Sequence, residues 1–224
     1  MASFIQESAK LLMAARDFHY LLNHDYPRKP SLELVGNRHN LSFDERHLLH
    51  RGIFSDSDAS ARREKKVAIR SLRGQDIAID GYNVLITIEA CLSGRPLVLS
   101  NDGFIRDISA LSGRFKKTKA TDKAIRLVLE TLNHAKPCHA LFLFDAPISK
   151  SGLLAREVRE RLRNAELSGD AEAVRVPEQV LIGFEGIVAT SDTAIIDPSP
   201  RVSDLAGHVI RNRIKPGSLI RLKV

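Results

Sequence analysis

The chain reads as an α/β protein: a mostly parallel central sheet flanked by helices, behind a small N-terminal all-helical domain. Three observations predict this. From Asp76 onward, short apolar runs alternate with helix-length amphipathic stretches. Those runs lack polar alternation, as expected of strands covered on both faces. Residues 1–55 hold no strand-like run and repeat their apolar residues at helical spacing instead.

Taken in order, ESAKLLMAARDFHYLLNHD places Leu11, Leu12, Ala15, Phe18, Leu21 and Leu22 at steps of three and four residues. DYPRKPS should end that helix with its two prolines. Ser31 is placed to cap a short helix over LELVG, and Ser42 another over FDERHLLHRG. Residues 56–75, SDASARREKKVAIRSLRGQ and its neighbours, turn from polar to basic and read as a linker or a connecting helix. Residues 76–224 supply the strand candidates DIAID, RPLVLS, CHALFLFD, AEAVRV, GIVATSD and SLIRLKV. Between them, TDKAIRLVLETLNHA is expected to start at a Thr121 cap, and SGLLAREVRERLRNAELSG at Ser151. PEQVLIGF and SDLAGHVIRNR complete the helices.

The 224 residues suit one medium domain with a smaller appendage, and the formal charge of +7 leans toward a polyanionic partner. No apolar run approaches the roughly 20 residues of a membrane span. MASFIQESAKLLMAARD carries acids and lacks a basic-then-apolar signal layout. A soluble, cytoplasmic protein without a membrane role is therefore expected. Cys91 and Cys138 form no CxxC pair and read as reduced and structural; no second ligand pair accompanies Cys138 and His139 to make a zinc site. Five of the eight histidines precede residue 51, but without HExxH or cysteine partners they read as structural or as part of a basic surface. The two short helices joined by HNLS offer too short a recognition helix to favour helix-turn-helix binding.

Three apolar runs finish on an aspartate: IAID on Asp80, LFLFD on Asp145, GIVATSD on Asp192. In open α/β sheets ligands bind beyond the carboxyl ends of the strands. Adjacent parallel strands would bring the three carboxylates to one edge, where like charges repel unless a hard divalent cation offsets them. Mg²⁺ or Mn²⁺ is the expected cation, and Asp80 sits where a metal ligand or a metal-bound water would need it. Asn83 lies in the first turn after the strand, where its amide can accept from a metal-bound water and donate to a phosphate oxygen. The plain alternative is that Asp80 and Asn83 only cap the following helix.

DGYNVL after an apolar strand resembles the opening motif of PIN-like nucleases, especially their NYN branch. ATSDTAIID resembles the later PIN motif, with Thr or Ser before a strand-end acid, and FDAPIS stands in the place of the middle strand-end acid. The whole chain is also similar to a prokaryotic family of unassigned activity, in which a segment like YPRKPSLELVGNRHNLSFDERHLLHRG precedes a PIN-like domain. The resemblance implies a metal-dependent ribonuclease or flap-type nuclease. Asp80, Asp145 and Asp192 would be the metal-binding acids, Asn83 their support, and Asp197 a fourth acid. PIN nucleases commonly carry a further acid on a central helix; here Glu89, Asp102, Asp107 and Asp122 are the options, none in a matching motif. Asp122 reads equally as a helix-dipole partner, and Asp102 as part of an Asn-Asp-Gly turn.

Nucleic-acid contacts are expected from two stretches. GRFKKTKATDK offers Arg114, Lys116, Lys117 and Lys119, a basic loop suited to phosphates with salt-dependent affinity. PISKSG offers Ser149, Lys150 and Ser151. RNA rather than DNA follows from the resemblance alone. A homo-oligomer and a protein partner for the N-terminal domain are left open. Two other classes compete: a non-catalytic nucleic-acid-binding PIN-like module, and a phosphotransferase or phosphatase. The second lacks an acid two positions after Asp80 and any GxxxxGK[ST] loop.

Overall fold

Ile77, Ala78 and Ile79 are all fully buried, so the run before Asp80 is covered on both faces, as its unbroken apolar character requires. The structure is a computed structural model that describes residues 9–108, 115–214 and 219–224. In chain order, α1 (Ala9–Asn23), α2 (Arg28–Arg38), α3 (Phe43–Gly52) and α4 (Asp56–Lys65) precede β1 (Asp76–Asp80) and α5 (Gly81–Leu92). Then come β2 (Leu97–Leu99), β3 (Ile105–Asp107), α6 (Lys119–Ala135), β4 (His139–Asp145), α7 (Ser151–Asn164) and β5 (Gly169–Val174). The chain continues through α8 (Pro177–Ile182), β6 (Ile187–Ala189), α9 (Thr193–Ile196), β7 (Val202–Ser203), α10 (Leu205–Val209) and β8 (Leu219–Ile220).

The described residues divide into two compact units, each with its own core. One comprises 65–93 and 115–214, the other 9–64, 94–108 and 219–224. The first holds a five-stranded, wholly parallel sheet in the order β5-β4-β1-β6-β7. Helices flank it, and Ile79, Phe142, Phe144, Val128 and Leu132 lie among its buried core residues. The strand order reverses at β1: β4 and β5 succeed on one side of it, β6 and β7 on the other. That reversal is where α/β sheets open a crevice at their carboxyl edge.

In the second unit, Leu11, Phe18, Leu48 and Leu49 from the helices share a core with Val98, Ile220 and Leu222. Its three-stranded sheet runs β3-β2-β8, with β2 antiparallel to β3 and parallel to β8. The α/β domain expected over residues 76–224 thus gives up two segments, and RPLVLS and SLIRLKV belong to a sheet of their own. The reason is non-local: an apolar run shows that a strand is buried but not which partner it pairs with.

Several boundaries also move. Pro27 is the N-cap of α2, so Pro30 sits in the first turn, where proline is tolerated. Ser31 is inside the helix, its hydroxyl donating to the Pro27 carbonyl. Ser42 caps α3 in a reciprocal capping box with Glu45, as its spacing predicts. Helix α6 starts at a Thr118 cap; Thr121 is the other partner of that box. The connecting segment is helical over α4. Among the described residues, no helix is long and apolar enough to cross a membrane.

Candidate active site

The register of the parallel sheet sets the relative heights of the three aspartates. Asp80 pairs with Leu143 on β4, so Asp145 lies two residues further along on the same face. Ile79 pairs with Ala189 on β6, so Thr190 is level with Asp80 and Asp192 again lies two residues beyond. All three reach the carboxyl edge of neighbouring strands, but Asp80 is set back by one pleat, about 6–7 Å. Among the described residues, no three His, Cys, Asp or Glu side chains form a group able to hold a metal ion. The three carboxylates expected at one edge do stand at the ends of adjacent parallel strands, at staggered heights.

Asp80 is the N-cap of α5, its Oδ1 accepting from the Asn83 amide at 3.4 Å. Its Oδ2 accepts from the Thr190 hydroxyl at 2.9 Å. The same Thr190 oxygen accepts from the Asp192 amide at 3.1 Å. Asn83 Oδ1 accepts from both the amide and the hydroxyl of Ser191, at 2.9 and 3.0 Å. A backbone N–H must meet an acceptor, which fixes the orientation of that amide and turns its Nδ2 away to donate elsewhere. The Thr190-Ser191-Asp192 turn is thus stitched to the Asp80–Asn83 turn by three hydrogen bonds. Asp192 in turn caps α9, accepting from Ala194 at 3.0 Å.

Asp80 keeps a partial opening to solvent, yet burial pushes its carboxyl up to about 7, with the nearby Asp192 and Asp145 charges adding to the effect. The Thr190 and Asn83 hydrogen bonds act the other way without offsetting it. Burial also raises Asp145, and the Glu178 charge adds to that rise. Gly81 serves close approach, not a left-handed turn: a Cβ there would stand 2.3 Å from the Phe144 ring and 2.8 Å from the Leu143 carbonyl. That contact brings the start of α5 down onto β4 beside the aspartates.

Asp197 stands apart, at the C-cap of the one-turn helix that Asp192 opens, roughly 7–8 Å along its axis. It is exposed, and its carbonyl accepts from Lys65. Of the options for a helix-borne acid, Asp102 and Asp107 lie in the other unit. Asp102 holds Arg106 with two bonds, at 2.8 and 2.7 Å, and Asp107 faces Arg95 at 3.9 Å. Asp122 is paired with Lys117 and Arg161; Glu89 is buried within α5. The acid that does act on this edge is Glu178, in the first turn of α8. Sequence reasoning missed it because PEQ carries no motif; its only signal is a charge in the first turn of a helix that follows a strand.

Arg114 lies outside the described residues. Lys116, Lys117, Ser149 and Lys150 line a cleft of about 1090 Å³ that Tyr82 also borders, whereas Lys119 is exposed at the start of α6. Lys117 is committed within it, at 2.6 Å from Glu157 and 3.1 Å from Asp122, and these partners raise its pKa. Ser151 is corrected from phosphate donor to structural tie: it is buried, and its hydroxyl donates to the Ala146 carbonyl. Lys150, not Ser151, holds the cap position of α7.

A family model described as "Domain of unknown function (DUF5616)" matches residues 69–208. The chain belongs to the DUF5616 family. A second model, "Protein of unknown function (DUF434)", matches residues 10–65. The chain is similar to "Uncharacterized protein MJ0935" of Methanocaldococcus jannaschii, at 37% identity over 183 residues, covering 82% of this chain and 87% of that one. No solved structure matches. The DUF5616 match spans β1 through α10 and so includes Asp80, Asn83, Asp145, Glu178 and Asp192.

Proposed function

We propose that the DUF5616 unit is a metal-dependent nuclease that hydrolyses phosphodiester bonds, with RNA as its substrate and the cytoplasm as its place of action. The observation that carries this reading is Asp80. A carboxylate set at the strand-order reversal, desolvated and acted on by Asp145 and Asp192 until its pKa nears 7, is costly unless a cation shares the site. The donors fit a hard cation, being anionic oxygens on three adjacent strand ends. Because they are staggered, one or two carboxylates would hold an ion whose shell is completed by water and phosphate, the habit of Mg²⁺. Asp80 would hold it with Asp145 or Asp192. A divalent cation there supplies charge neutralisation and Lewis-acid polarisation of the phosphate and of an attacking water.

The chain's own groups do the rest. Asn83, whose Oδ1 is held by Ser191, would use its Nδ2 as a neutral donor to orient a phosphate oxygen. Thr190 fixes the Asp80 rotamer through its hydroxyl. Ser191 fixes Asn83. Glu178 adds negative charge beside Asp145, which favours a bound cation over a vacant pocket. The RNA preference comes from the resemblance of DGYNVL and ATSDTAIID to the PIN-like NYN motifs.

A second reading, a PIN-like module that binds nucleic acid without cutting it, is favoured by one observation: Asp80 and Asp192 both serve as helix caps. Titration calorimetry with Mn²⁺, run beside cleavage of labelled single-stranded RNA, separates the two. The nuclease reading expects Mn²⁺ binding that weakens in Asp80→Asn and cleavage abolished by chelator. RNA binding with neither Mn²⁺ uptake nor cleavage would establish the module.

A further inference from the structure

The cleft bordered by Tyr82 divides by chemistry. Its apolar part is made by Tyr82 and Phe115, whose rings meet edge to face at 4.8 Å, together with Ile148, Leu153 and Leu154. Its polar part is Lys116, Lys150 and Ser149, together with Lys117, which is paired with Glu157. Packing of the unit explains neither Leu153 nor Lys150. Leu153, in the first turn of α7, leaves 54% of its surface in water. Lys150 holds a φ of 66°, the left-handed region that a lysine rarely adopts. The cleft is linked to the aspartates through Tyr82. Tyr82 is two residues from Asp80, and the Asp145 charge, second to burial, helps push the Tyr82 hydroxyl up to about 12.

We propose that this cleft seats one unpaired nucleobase of a single-stranded nucleic acid, covering Leu153 and Phe115, while Lys150 and Lys116 meet the flanking phosphates. The inference deepens the nuclease reading and rests on it for the identity of the neighbouring site. Its chemistry is independent: an apolar surface bordered by cations suits a flat, weakly polar ring joined to phosphates on both sides. Its volume is ample for such a ring. A duplex, whose bases are stacked inward, would leave Leu153 uncovered.

The test is fluorescence anisotropy in chelator, so that nothing is cut. The probes are a short fluorescein-labelled oligouridylate, an abasic ribose-phosphate oligomer of the same length, and a duplex. Wild type is expected to bind the oligouridylate about tenfold more tightly than the abasic oligomer, within the range of one stacked base, and more tightly than the duplex. Leu153→Ser should erase most of that ratio without touching abasic binding. Lys150→Gly should weaken both single strands and flatten the salt dependence, with an equal or higher melting temperature, because glycine accepts the left-handed backbone. The proposal is overturned if wild type binds none of the probes, treats abasic and base-bearing strands alike, prefers the duplex, or keeps its ratio in Leu153→Ser. Cleavage is read separately. The expected ratio without Mn²⁺-dependent cleavage upholds the cleft and refutes the nuclease, and cleavage without the ratio does the reverse.

Discussion

The Thr190 hydroxyl donates to Asp80 Oδ2 at 2.9 Å while accepting from the Asp192 amide at 3.1 Å. One side chain therefore couples two of the three strand-end acids across the β1–β6 boundary. Thr190→Val keeps the shape but leaves the Asp192 amide and the Asp80 carboxylate without their shared partner. It should cost about 1–3 kcal/mol in denaturant unfolding and reduce cleavage, whereas Thr190→Ser should retain most of both.

Asp80→Asn should stabilise the metal-free protein. The folded pKa of Asp80, about 7, lies above the carboxylate value of 3.8. The folded state thus holds its proton more tightly than the unfolded state between those two pH values. The linked stability is fully present below about pH 4, falls as pH rises, and is lost once pH passes 7. Melting curves in chelator should show the variant gaining over wild type through that window, by a few degrees at pH 8. A gap that shrinks with rising pH would refute the burial of charge at this edge.

Gly81→Ala should unfold more readily by about 1–3 kcal/mol. Its Cβ would meet the Phe144 ring and the Leu143 carbonyl at sub-contact distances. The backbone carbonyl cannot rotate away, so the start of α5 must lift and carry Asn83 with it. The free energy of unfolding, read by denaturant, and the cleavage rate should fall together.

Asp102→Ala separates structure from chemistry. Asp102 is fully buried and doubly bonded to an Arg106 that is itself buried, with Arg62 3.6 Å away. Removing the carboxylate strands those guanidinium groups, at about 3–5 kcal/mol. The variant should melt early, yet below its melting temperature it should cleave at the wild-type rate, because Asp102 lies in the unit that does not contain Asp80.

Much of this was legible in the chain. β1, β4 and β6 announced themselves because each is an unbroken apolar run closed by polar residues, and the parallel order brings Asp80, Asp145 and Asp192 to one edge. The stagger was not legible, since heights along the edge depend on register, and register is a property of pairs of strands. The second sheet was missed for the same reason: LVL and LI show burial but not their partners. Ser151 has the composition of a cap, yet Lys150 takes that position and the Ser151 hydroxyl donates to the Ala146 carbonyl. Thr190 and Ser191 were visible only as neighbours of an acid. Their roles appear once β6 lies against β1.

The most direct test is single-turnover cleavage of end-labelled single-stranded RNA by wild type and Asp80→Asn, in Mn²⁺, Mg²⁺ or chelator, with RNA affinity measured in parallel. Cleavage by wild type in either metal, none in chelator, and none by Asp80→Asn at unchanged affinity is the expected result. Cleavage that persists in Asp80→Asn, or that ignores the chelator, would contradict a cation-dependent site at the end of β1.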